Sequence, residues 1–195
     1  IDFILSEYPS FVDVPTSNWA WRYVEALYTQ GITTGCIPSP LSYCPDNQVT
    51  RAEMAVFIER AIRSGDYAPP VVSPLTFTDT TTHWAKYWIE QFKTDGITTG
   101  CGPNIYCPNQ YVTRAEMAVF IERALRGGSY TPPAVSLTFT DTTSHWAKYW
   151  IEQFRTDGIT TGCGPNVYCP DQYVTRAEMA VFLSRAFGYT LPPQP

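Results

Sequence analysis

Residues Leu75–Leu125 and Leu137–Phe187 align without a gap at an offset of 62, and 44 of the 51 paired positions are identical. A chain that nearly duplicates itself must fold as copies of one small unit, and a period above 50 residues is long for a solenoid rung but natural for a tandem small domain. A more divergent first copy precedes them. Phe11-Val12-Asp13 answers Phe77-Thr78-Asp79 and Phe139-Thr140-Asp141, and Arg51 answers Arg114 and Arg176. Three stretches separate or end the copies, each a Tyr followed by paired prolines: Tyr67 before Pro69-Pro70, Tyr130 before Pro132-Pro133, and Tyr189 before Pro192-Pro193. Paired prolines hold a chain extended and give semi-rigid spacers. The chain therefore divides into an N-terminal extension (1–10), copy one (11–63), a connector (64–74), copy two (75–126), a connector (127–136), copy three (137–187) and a C-terminal tail (188–195).

Each copy reads as two amphipathic helices. In copy two, Trp84, Trp88 and Phe92 recur at i, i+4 and i+8 with Ala85 and Ile89 beside them, and copy one keeps Trp19, Tyr23 and Leu27. That spacing predicts a helix with an apolar stripe. Ser17, Thr82 and Ser144 stand just ahead of it as expected N-caps, and Gly31, Gly96 and Gly158 as its stops. The stripe assigns Trp19, Trp84 and Trp146 to the core; sugar-stacking platforms are the alternative. The second helix opens with Val-Thr-Arg-Ala-Glu in every copy. Thr50/Glu53, Thr113/Glu116 and Thr175/Glu178 have capping-box spacing, with Thr as N-cap and Glu reaching back. Met54, Phe57, Ile58 and Ala61 then supply its apolar face, so the fold class is all-α with an inter-helix loop.

The six cysteines fall one pair per copy, in that loop. Six allow fifteen pairings, and the repeat favours Cys36–Cys44, Cys101–Cys107 and Cys163–Cys169. Their spacings do not match a zinc knuckle and the two histidines, His83 and His145, align with Asn18, so no metal site is expected. Disulfides imply an oxidising, extracellular compartment. With 44% hydrophobic residues and a net charge of −5, the chain can bury a core but carries no basic patch for nucleic acid. No apolar run approaches the roughly 18 residues that would span a bilayer, and the start reads as a mature or trimmed form.

The order Phe-x-Asp, Trp-Ala, Gly-Ile-x-x-Gly, aromatic-x-Pro and Val-Thr-Arg-Ala-Glu, met three times, resembles the S-layer homology (SLH) domain. The resemblance implies a pseudo-threefold bundle on a bacterial surface protein that binds secondary cell-wall polysaccharide, often bearing pyruvate-ketal carboxylates. By position, the motif arginine that helps hold that sugar is Arg51, Arg114 and Arg176. A cation at the first position of a helix opposes the macrodipole, so either an anionic ligand or a nearby Asp or Glu is expected to compensate it. The SLH turn resembling Tyr-Pro-Asp-Gly is replaced here by Gly35-Cys36, Gly100-Cys101 and Gly162-Cys163.

Two functions follow as expectations: a wall anchor holding acidic polysaccharide, or a self-assembling subunit of a filament or S-layer lattice. In the second, the tail after Gly188 meets the apolar start Ile1-Asp2-Phe3-Ile4-Leu5 of another copy. No nucleophile elbow, metal-binding helix or phosphate loop appears, so neither catalysis nor a cofactor is expected.

Overall fold

A computed structural model of the chain describes residues 9–194; the apolar start lies outside them. Among the described residues there are six α-helices: α1 (Trp21–Thr29), α2 (Arg51–Ile62), α3 (Lys86–Thr94), α4 (Arg114–Arg126), α5 (Lys148–Thr156) and α6 (Arg176–Ala186). One small departure from an all-α fold is a hairpin inside the first disulfide loop, where β1 (Ile37–Pro38) pairs with β2 (Leu41–Ser42) antiparallel. The three copies are arranged about a pseudo-threefold axis, and the backbone marks that axis. Val49 N donates to Val174 O (3.0 Å), Val112 N to Val49 O (2.9 Å) and Val174 N to Val112 O (2.9 Å), a closed ring of three hydrogen bonds.

Helix pairing crosses the copy boundaries. The apolar stripes suggest that the two helices of one copy pack together, but α2 lies along α3, α4 along α5, and α6 returns to α1. Within a copy the helices still touch through aromatic edges, Phe92 on Phe120 and Phe154 on Phe182, each at 5.2 Å between centroids. The stripe on each first helix is wide enough to serve both neighbours, and sequence periodicity alone does not say which one it faces. The consequence is a ring in which no copy owns a complete core.

The connectors complete the ring. Tyr67 packs edge-on against Trp88 of the next copy (5.8 Å) and Tyr130 against Trp150 (5.8 Å). The C-terminal tail continues the pattern onto the first copy: Arg22 Nε donates to Pro192 O at 2.6 Å. The tail thus rests on its own chain, where the filament reading needed it free. Gly31 and Gly96 end α1 and α3 in the left-handed region (φ 71° and 75°), as the sequence suggests. They also let the chain cross itself closely, because a Cβ on Gly128 would stand 2.5 Å from the Gly96 Cα.

The first helices start later than the sequence suggests. Ser17, Thr82 and Ser144 do not cap them; α1, α3 and α5 begin after Ala20, Ala85 and Ala147, whose own side chains have nothing to cap with. The acceptor comes from the preceding turn. Asn18 Oδ1 takes the Ala20 amide (2.9 Å), and Nδ1 of His83 and His145 takes the amides of Ala85 and Ala147 at 3.2 and 3.1 Å. The histidines with Asn as their counterpart are therefore turn acceptors, a job that amide and imidazole share. The shift lifts Trp19, Trp84 and Trp146 off the stripe. All three are 65% exposed, which corrects the core reading.

Two buried carboxylates lie where consecutive copies meet. Glu59 pairs with Arg63, whose other nitrogen reaches Asp95 of the next copy at 2.7 Å; Glu122 and Arg126 repeat this toward Asp157 at 2.6 Å. Copy three has Ser184 and Gly188 in their place, so the closing α6–α1 contact lacks the triad. Burial, reinforced by the neighbouring Asp95 or Asp157 and opposed by the Arg, raises Glu59 and Glu122 to about 8. Between the ordinary carboxylate range and about 8, the folded chain holds protons that the unfolded chain has released. Stability is then greatest on the acid side and falls as pH rises through that window. A melting series from pH 5 to 8.5 should show a declining Tm, and the pair Glu59→Gln and Glu122→Gln should flatten it; a Tm rising over the same interval contradicts this assignment.

Candidate functional site

The disulfides set the inter-helix loops. Cys36–Cys44, Cys101–Cys107 and Cys163–Cys169 are bonded, with Cα separations of 6.0, 6.1 and 6.1 Å. Cys44, Cys107 and Cys169 sit at φ 57°, 60° and 61°, a left-handed conformation that a side-chain residue adopts at a cost. The Asp of Phe-x-Asp holds it there. Asp13 accepts from the amides of Tyr43 and Cys44 (2.7 Å each), and Asp79 and Asp141 do the same for Tyr106/Cys107 and Tyr168/Cys169. Phe11, Phe77 and Phe139 are buried beneath. The motif is thus a buried ring with an anionic clasp that fixes one loop per copy.

Each loop delivers a tyrosine to the neighbouring copy. The hydroxyls of Tyr43, Tyr106 and Tyr168 donate to the main-chain oxygens of Arg176, Arg51 and Arg114, at 2.8 Å in each case. Their burial pushes all three phenols well above the usual range, only partly opposed by the adjacent arginine.

The motif arginines answer the same tyrosines. Nε of Arg51, Arg114 and Arg176 donates to the carbonyls of Tyr106, Tyr168 and Tyr43 (2.9, 2.9 and 2.8 Å). Nη1 pairs with a motif glutamate of another copy: Arg51 with Glu116 (2.6 Å), Arg114 with Glu178 (2.6 Å), and Arg176 with Glu53 (3.2 Å). The three pairs close a second ring. Each guanidinium is at most 5% exposed and lies over two aromatic rings, as Arg51 does over Tyr106 (4.9 Å) and Phe120 (5.5 Å). Thr50, Thr113 and Thr175 each accept the amide three residues on, and Glu53, Glu116 and Glu178 return one oxygen to the Thr amide. Their other oxygen takes the arginine. One carboxylate therefore caps its own helix and locks the preceding copy of the ring, which explains a cation at a helix N-terminus.

Where copies meet, this lock floors a cleft. One cleft of about 230 Å³ is lined by Thr33, Thr34 and Gly35, by Glu53 and Arg60, by Arg176 from copy three and by Trp84 from copy two. Its equivalent, about 180 Å³, has Thr160, Thr161 and Gly162, Glu178 and Arg185, with Arg114 from copy two and Trp19 from copy one. Every predicted arginine and tryptophan of these clefts is brought together, but from three different copies. Trp146 lies in a related open pocket with Thr113, Glu116, Tyr111, Asp171 and Tyr173. Sequence reading passed over Arg60, Arg123 and Arg185, whose signal was an Arg nine positions after the motif arginine in every copy.

Among the described residues no helix is long and apolar enough to cross a membrane. A profile of the S-layer homology domain matches residues 10–35, 76–118 and 138–180. The chain is 27% identical over 177 residues to a cellulosome-anchoring protein of Acetivibrio thermocellus, covering 89% of this chain and 38% of that protein. It is 26% identical over 180 residues to an S-layer protein of Bacillus thuringiensis subsp. finitimus (90% of this chain, 21% of the relative). It is also 30% identical over 184 residues to an amylopullulanase of Thermoanaerobacterium thermosulfurigenes, covering 91% of this chain but 9% of the enzyme. The chain thus spans well under half the length of these relatives. Threefold motif order, ring architecture and the profile match agree: the chain belongs to the S-layer homology domain family.

Proposed function

We propose that the chain is a non-catalytic, extracellular attachment unit that holds acidic cell-wall polysaccharide, such as a pyruvate-ketal polymer, in the clefts between its copies. The observation that carries this reading is the exposed indole set beside an arginine-floored cleft. An aromatic face supplies a stacking surface for a pyranose ring, and the neighbouring donors suit hydroxyls and a carboxylate. Arg51 and Arg114 keep one donor nitrogen, Nη2, beyond those used in the lock, whereas Nη2 of Arg176 is buried. Repeated weak sites on one ring facing a repetitive polymer gain retention through effective concentration. The likeness to a cellulosome-anchoring protein and to an S-layer protein supports attachment at a cell surface, as do three disulfides.

Replacing Trp19, Trp84 and Trp146 together by Ala removes exposed rings and should leave the fold intact. Half-maximal cosedimentation with wall polymer should shift by about tenfold or more, because losses at linked sites compound. Retention equal to that of the unaltered protein would refute stacking in these clefts.

A further inference from the structure

We infer that residues 1–8 of the same chain dock in a pocket where copy three meets copy one, and so latch the ring at its one joint without a covalent connector. The inference is independent of what the clefts bind. At the other two joints the connector runs unbroken onto the first helix of the following copy. Tyr67 reaches α3 at Trp88 (5.8 Å), and Thr76 N is still on that helix, donating to Glu90 Oε1 at 2.7 Å. Tyr130 at Trp150 (5.8 Å) and Thr138 N at Glu152 Oε1 (2.6 Å) repeat this on α5. On α1 two separate stretches of chain take the same path. The tail arrives with Pro192 O on Arg22, and the chain resumes at Ser10, whose N and Oγ donate to the Glu25 carboxylate at 2.7 and 2.8 Å.

A pocket of about 300 Å³ is lined by both stretches, Thr190 and Pro192 of the tail and Ser10, together with Trp21, Glu25 and Ala26 of α1. Substitutions leave room at this joint. Ala26 stands where the other copies have Gln91 and Gln153, the second of which takes the Tyr130 hydroxyl at 3.1 Å, and Gly188 stands where they have Arg63 and Arg126. Trp21 replaces Lys86 and Lys148 and is 4% exposed, and its Nε1 is buried with no hydrogen-bond partner among the described residues. A buried donor left unmade is costly, and the carbonyls of an added segment supply acceptors. Residues 1–8 lead through Pro9 directly to Ser10 on the pocket wall. They bring Ile1, Phe3, Ile4 and Leu5 to meet Trp21 and Pro192. They also bring Asp2 and Glu7 toward Arg22, which pairs with no Asp or Glu among the described residues. Attachment at Ser10 gives the segment a high effective concentration at its own pocket, which favours it over the same segment of a second copy. Its docking completes on α1 the path that the connectors take on α3 and α5.

The test reads Trp21 by fluorine NMR of the whole chain labelled with 5-fluorotryptophan, together with amide hydrogen exchange. The variant Phe3→Ser, Ile4→Ser and Leu5→Ser keeps the length of the chain and removes the apolar anchors. Its Trp21 resonance should move while those of Trp88 and Trp150 stay. Exchange of amides in α1 and the tail should rise about tenfold or more, the equilibrium worth of burying one or two large apolar side chains. A chain beginning at Pro9 should behave alike, and a synthetic peptide of residues 1–8 should return its Trp21 resonance toward the intact position. A Trp21 resonance unmoved by the three substitutions would overturn the inference. A rise in exchange spread equally over α3 and α5 would mark general loosening and overturn it too. The intact chain should sediment as a monomer. A dimer or longer assembly that the Ser variant abolishes would put the segment in a second copy's pocket and overturn the same-chain assignment.

Discussion

Arg114→Ala is expected to lower the unfolding free energy by about 3 kcal/mol, the scale for breaking one side of a buried ion pair. The guanidinium is 3% exposed and makes two bonds that the substitution removes, Nε to Tyr168 O and Nη1 to Glu178, while the main-chain carbonyl that accepts from the Tyr168 hydroxyl remains. Removing it leaves Glu178 unpaired on its inner oxygen and opens a void beneath Tyr168 and Phe182, over which the group lies at 4.9 and 5.4 Å. Glu178 is itself 29% exposed, so water can reach it and the loss should stay toward the low end of the range. Arg114→Lys should recover little, because an ammonium cannot serve Nε and Nη1 acceptors together. Denaturant melts of the two variants decide it. A Lys variant as stable as the unaltered chain would show that charge alone, and not the fork between copies, holds this joint.

Reduction of the three cystines is expected to cost more than any single substitution. Their sequence separations are 8, 6 and 6, and closing such short loops contributes about 2 kcal/mol each in the chain-entropy model. Together that is about 6 kcal/mol, comparable to the whole stability of many domains. The loops also hold Cys44, Cys107 and Cys169 left-handed and carry Tyr43, Tyr106 and Tyr168 into the preceding copy of the ring. Loss of the crosslinks therefore weakens the ring as well as the loops. A denaturant midpoint unmoved by a thiol reductant that opens all three bonds would contradict this.

What the residues disclosed and what they withheld divide along local and non-local lines. The capping boxes at Thr50, Thr113 and Thr175 and the helix stops at Gly31 and Gly96 are legible because both partners lie within a few positions. The disulfide pairing followed from the repeat. The start of α1, α3 and α5 was missed because a turn at Asn18, His83 and His145 supplies an acceptor that also suits imidazole, whereas the expectation rested on a hydroxyl. That displacement of a few residues put Trp19, Trp84 and Trp146 outside. The role of Glu53, Glu116 and Glu178 was half legible: the cap is local, but the arginine each receives comes from more than 60 positions away. Ring closure, with α6 on α1 and the tail at Arg22, has no local signature at all.

The central claim is that a closed ring of three copies presents clefts to a wall polymer. Cosedimentation of the purified chain with wall sacculi of its source organism, before and after the polysaccharide is extracted from the peptidoglycan, tests it most directly. The account predicts saturable binding to the native sacculi that disappears on extraction. Undiminished binding to the stripped peptidoglycan, or none to either preparation, would contradict it.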